Sequence, residues 1–196
     1  PFVDLAKQRF SSVHVIDLPC FGTEPCPDSP WGIGEYAAFV HKKIEPTHDS
    51  AKTFVLLGHS FGGAVATKYV TEHPQTVDLL ILAGAAVYRP RRLLRRAFFG
   101  AIAKAGRLIF RLPVIERFDT FAKKVLYKGA DSPDYSETAG IKRDIYKKII
   151  RQDQSHLLPH IGVPTKVIWG KHDTMTPHRN GKSMATAITT ASISII

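Results

Sequence analysis

The sequence predicts an α/β protein built on a mostly parallel, doubly wound sheet. Three observations carry that prediction. Short β-branched apolar runs alternate with segments of helical periodicity along much of the 196 residues. One strand-to-helix joint, Thr53 to His73, sets Ser60 between Gly58 and Gly62. Residues 88–158 interrupt the alternation with helical patterns and no strand pattern, which marks an insertion.

The elements follow in order. Val3 to Arg9 reads as the tail of a helix. Ser12 to Leu18 is a first strand, ended by Pro19 and the Cys-Phe-Gly turn. Gly34 to Ile44 is a helix. Thr53 to Leu57 is a second strand and runs into a helix over Phe61 to His73, with apolar residues at Ala64, Ala66, Tyr69 and Val70. Leu79 to Ala83 is the third strand. In the insertion, Arg91 to Arg111 places Arg92, Arg96, Lys104, Arg107 and Arg111 on one side of a helix. Leu94, Phe98 and Leu108 fall on the other side. A second helix follows Pro113, and a third spans Thr138 to Arg151. Lys166 to Trp169, Arg179 to Thr189 and Ala191 to Ile196 complete the chain as strand, helix and strand. The expected organisation is a core over 1–87 and 159–196, with a helical cap over 88–158.

Composition bounds the function. Hydrophobic residues make up 44% and charged residues 22% of the chain, as in an ordinary globular protein. No apolar run approaches the roughly 18–20 residues of a membrane span, and no signal-peptide pattern opens the sequence. Cys20 and Cys26, with five residues between them, fit no zinc or redox motif. The expectation is two free thiols in a reducing cytosol. Nothing in the pattern calls for a cofactor or a metal. The net charge of +10 is unevenly spread, with 17 Lys/Arg against 6 Asp/Glu between Tyr88 and Arg151. Arg91-Arg92 and Arg95-Arg96 beside Leu93, Leu94, Phe98 and Phe99 suit contact with an anionic membrane surface or an acidic lipid. The plainer alternative is a cap helix whose apolar side packs inward while its arginines stay solvated. Nucleic-acid binding is not expected, because no recognition module accompanies the charge. Oligomeric state is left open.

The chemistry centres on Gly58-His59-Ser60-Phe61-Gly62, a G-x-S-x-G motif in the strand–turn–helix setting that it requires. In such a turn the serine takes a strained backbone angle and its hydroxyl projects from the sheet edge. The flanking glycines are expected to let strand and helix approach. A serine hydroxyl needs a base, usually a histidine oriented by a carboxylate, and N–H donors for an oxyanion. Phe61 N–H supplies one donor. Asp173, in the turn after the strand ending at Trp169, is the candidate acid; an acid that merely turns the loop is the plain alternative. Asp78 precedes its strand and so belongs to the wrong sheet edge, and Asp17 suits a structural role. Among the histidines, His59 lies within the elbow and is expected to point away from Ser60. His172 reads as a loop residue, and His178 as an exposed helix start.

On these residues the chain resembles the α/β-hydrolase superfamily, of the serine-nucleophile type with a helical cap. Val-Ile-Asp-Leu-Pro-Cys-Phe-Gly at 15–22, Gly-His-Ser-Phe-Gly-Gly at 58–63, Leu-Ile-Leu-Ala-Gly at 80–84 and Val-Pro-Thr-Lys-Val-Ile-Trp-Gly-Lys-His-Asp at 163–173 carry the likeness. Cys20 stands where the family's first turn usually has glycine. The resemblance implies an ester or related acyl substrate, small and apolar, with Ser60 as nucleophile and Asp173 as acid. It implies a catalytic histidine after the last strand, beyond Ile196, and a second oxyanion donor before residue 1. The fold is then expected to be incomplete at both ends and the 196-residue piece inactive, with unpaired strand edges in its sheet. Two alternatives stay open: a C–C bond hydrolase or cofactor-free perhydrolase with the same residues, and a non-catalytic binding member of the fold.

Overall fold

A computed structural model describes residues 2–89, 140–173 and 176–196. The chain separates into two compact units, Pro1–Arg89 with Asp144–Ile196, and Pro90–Arg143. The basic helix expected over Arg91 to Arg111 and the helix after Pro113 lie outside the described residues, and with them the suggested membrane-contact face.

In the first unit the described helices are α1 (Phe2–Lys7), α2 (Ile33–Ile44), α3 (Phe61–Glu72), α4 (Gly140–Ile149, from its Asp144 onward) and α5 (His178–Ala187). The strands are β1 (Val55–His59), β2 (Leu79–Ala83), β3 (Thr165–Trp169) and β4 (Ala191–Ile195). They form one parallel sheet in the order β1-β2-β3-β4. Parallel neighbours need crossover connections, which α3 and α5 supply between β1 and β2 and between β3 and β4.

Burial follows position in the sheet. On the central strands Leu80, Leu82 and Val167 are fully buried and Trp169 is 1% exposed. Ala64, Val65, Ala66, Tyr69 and Val70 turn one side of α3 into the core, where Ile33, Tyr36, Ala37 and Val40 of α2 are also buried. α3 packs against β1 and β2, and α5 against β3 and β4. β1 is an edge of the described sheet although Val55-Leu56-Leu57 reads as an interior strand, and Leu57 is left 40% exposed.

Two expectations are corrected here. Ser12 to Leu18 forms no strand, and its Val15 is 66% exposed. A strand exists only through a ladder partner, and among the described residues β1 pairs with β2 alone, so the alternating pattern at 12–18 finds no neighbour there to bond. Cys20 and Cys26 are not free thiols but a disulfide, their Cα atoms 4.5 Å apart. The turn brings them together: Phe21 N–H donates to Leu18 O at 2.8 Å, and Asp17 Oδ2 accepts from Thr23 N–H at 2.9 Å and Thr23 Oγ1 at 2.7 Å. Paired cysteines give no ground for expecting a reducing cytosol. Among the described residues no helix is long and apolar enough to cross a membrane.

Candidate active site

Ser60 stands where β1 ends and α3 begins. Its backbone lies at φ +51° and ψ −117°, one of two positive-φ non-glycine residues described; the other is Cys20 at +68°. Left-handed angles crowd a Cβ, so they persist in non-glycine residues only where the surroundings over-determine them. Here three backbone bonds do so. Ser60 N–H donates to Ala83 O at 3.1 Å, while Ser60 O accepts from Gly63 N–H at 3.0 Å and Ala86 N–H at 2.9 Å. The same reasoning explains the family's glycine at position 20, where this chain holds a half-turn with cysteine instead.

The glycines work differently from the expectation. A Cβ on Gly58 would stand 2.6 Å from Gly62 O and 2.7 Å from Gly63 Cα, so close approach demands glycine there. A Cβ on Gly62 would meet nothing within 4 Å. The second tight contact belongs to Gly63, whose Cβ would lie 2.9 Å from Ala85 Cα. The helix thus presses on β1 through Gly58 and on Ala85, just past β2, through Gly63, and Gly62 is not needed for space.

Phe61 opens α3, so its N–H belongs to the first turn, whose donors have no acceptor within the helix. Its ring closes an aromatic wall, with centroids 5.2 Å from Phe21 and 5.1 Å from Tyr36. Tyr36 donates its hydroxyl to Pro19 O at 3.0 Å, and burial pushes its pKa up to about 12. The disulfide-closed turn therefore abuts the elbow through Phe21.

Asp173 lies in the loop after β3, at the same carboxyl edge of the sheet as Ser60. Register fixes the path between them. His59 pairs with Ala83, Ala83 pairs with Ile168, and Gly84 N–H donates to Ile168 O at 2.9 Å. Ser60 and Asp173 thus both lie at the carboxyl edge of the sheet, the first following β1 and the second reaching over the end of β2. Gly84, at φ +49°, fills the middle: from the position of a Cβ there, Asp173 Oδ2 is 3.5 Å, Thr176 Oγ1 3.8 Å and His59 Nε2 3.9 Å away.

The remaining candidates separate cleanly. Asp78 sits at the opposite end of β2, where its Oδ2 accepts from Phe54 N–H at 2.7 Å. Hydrogen bonds from Thr23 N–H and Oγ1 hold Asp17 below the usual carboxylate range. His178 is an exposed first residue of α5, and His172 is exposed beside Asp173. His59, expected to point away from the serine, brings Nε2 over Gly84 toward the acid's side. Sequence reading missed Thr176, which donates N–H to Asp173 Oδ1 at 2.8 Å and Oγ1 to Oδ2 at 2.6 Å. The Asp-x-x-Thr spacing was a signal for it, since short polar side chains bond backbone and neighbours across such turns. Among the described residues no three His, Cys, Asp or Glu side chains cluster to hold a metal ion.

A parallel sheet with a positive-φ serine at a strand–helix elbow and an acid beyond a later strand defines an α/β-hydrolase. Residues 33–196 match the family described as serine aminopeptidase, S33 (Hydrolase_4), and the chain belongs to that family. A hydrolase from a Medee basin deep-sea metagenome library shares the fold, with a TM-score of 0.64 at 20% identity over 98% of this chain and 74% of that one. A pimeloyl-[acyl-carrier protein] methyl ester esterase of Neisseria meningitidis is 28% identical over 188 residues, 87% of this chain and 68% of that protein. A 1-acylglycerol-3-phosphate O-acyltransferase of Arabidopsis thaliana is 64% identical over 33 residues, 17% of this chain. The chain spans 8% of that plant protein, and 15% and 17% of the rice and nematode relatives that it also matches.

Proposed function

We propose that the protein is a serine hydrolase acting on carboxylic esters or related small apolar acyl compounds through an acyl-enzyme. The observation that carries the proposal is the left-handed Ser60 at the β1–α3 elbow, level with Asp173 across the glycine that ends β2. Ser60 Oγ attacks the acyl carbonyl as a histidine takes its proton, and Phe61 N–H stabilises the oxyanion. The histidine returns the proton to the leaving alcohol. A water then repeats the sequence and releases the acid. Asp173 holds the imidazole in orientation throughout.

The histidine is proposed to come from polypeptide following β4. That strand ends against β3: Lys171 N–H donates to Ile196 O at 2.7 Å and Ile196 N–H to Trp169 O at 2.9 Å. Residues after Ile196 would therefore emerge beside the Asp173 loop. The esterase likeness supports the ester class. In the test, p-nitrophenyl esters of graded chain length are offered to the protein expressed from its whole gene and to S60A. Turnover falling roughly 10³-fold or more in S60A is expected; hydrolysis indifferent to the substitution would reject the proposal.

The short, high-identity match to the plant acyltransferase favours one second reading, in which an alcohol rather than water resolves the same acyl-enzyme. Product analysis with 1-acylglycerol-3-phosphate present separates the two: free acid for hydrolysis, a diacyl product for transfer.

A further inference from the structure

We infer that Thr176 is the positioning residue of Asp173, an inference that rests on the proposed role of Asp173 as the acid. Thr176 grips both carboxylate oxygens, N–H on Oδ1 at 2.8 Å and Oγ1 on Oδ2 at 2.6 Å. Its own carbonyl accepts from Trp169 Nε1–H at 2.7 Å. Trp169 is the last residue of β3 and 1% exposed, so the chain of bonds runs from the buried end of a central strand to the carboxylate.

The geometry has a specific consequence. A carboxylate on a loop turns about its terminal torsion, which is broad and roughly two-fold. One donor on each oxygen stops that rotation and sets the plane. The hydroxyl adds a second hold, on the oxygen that lies over Gly84, the side that His59 Nε2 also reaches. An imidazole bonding to this carboxylate then meets an acceptor of fixed direction, as an orienting acid requires. Thr176 touches no substrate; it acts through Asp173.

The test compares wild type, T176V and T176S in the whole-gene protein, by ester hydrolysis and by amide exchange at position 176. T176V keeps the shape and removes the donor. Its kcat is expected to fall on the order of 10²-fold with KM held, and T176S, which restores the hydroxyl, to recover most of the loss. Amide exchange at 176 is expected to rise roughly tenfold in T176V but not in T176S, as the released carboxylate lets go of the N–H. A purely structural threonine would lower the melting temperature while leaving kcat at temperatures well below it. Equal kcat in T176V and wild type, or unchanged exchange in T176V, overturns the inference. A wild type without Ser60-dependent turnover rejects the proposed function instead, and the exchange measurement still decides whether Thr176 holds the carboxylate.

Discussion

Ser60 holds a backbone angle that costs a serine about 1–3 kcal/mol, and the joint around it offsets that cost through three backbone bonds. The joint closes because Gly58 lets α3 sit directly on β1 and Gly63 lets it sit on Ala85 beyond β2. G58A would drive a methyl into the backbone of Gly62 and Gly63, with no flexible side chain to yield. Urea denaturation should show a loss of about 3 kcal/mol. G62A meets open space in the first turn of a helix and should be neutral or gain up to about 1 kcal/mol. Equal losses from the two substitutions would contradict the contact scheme.

Two elements tie the sheet's flank. The Cys20–Cys26 turn carries Phe21 onto Phe61 and Tyr36, so the disulfide braces the aromatic wall next to the elbow. Closing so short a loop stabilises by about 2 kcal/mol on chain-entropy grounds. Paired denaturation curves of wild type and C20S/C26S should differ by that amount, and coincident curves would show the turn to be self-sufficient. At the ends of α2 and α3, His41 and His73 stack with centroids 3.9 Å apart and planes within 5°. Burial, then the neighbouring His41, push the His73 pKa down, against the smaller opposing pull of Glu72. A base with a lowered folded pKa binds protons more readily when unfolded. Its contribution is therefore intact above the ordinary imidazole value near 6.5 and is lost as the pH falls below it. Melting temperature should drop between pH 7 and pH 5, less steeply in H73Q; identical slopes would remove His73 as the cause.

At the scale of the whole molecule, what could be read from sequence was what local chemistry decides. The Leu79 to Ala83 strand matches its observed bounds, and the helices leaving Ser60 and Pro177 differ from expectation by one or two residues. The position of Asp173 was legible because the loop after a parallel strand lies at one sheet edge. These failures turn on how the chain folds back on itself. Ser12 to Leu18 carries strand chemistry but no ladder, the cysteines pair only because a turn folds them together, and Thr176 gains its role from a side chain three residues back. In the proposed reaction Ser60 is the acylated nucleophile. The most direct test is intact-mass and peptide analysis of the whole-gene protein after treatment with a fluorophosphonate. One adduct on Ser60, absent in S60A, is predicted; no adduct at Ser60, or the same adduct in S60A, would contradict it.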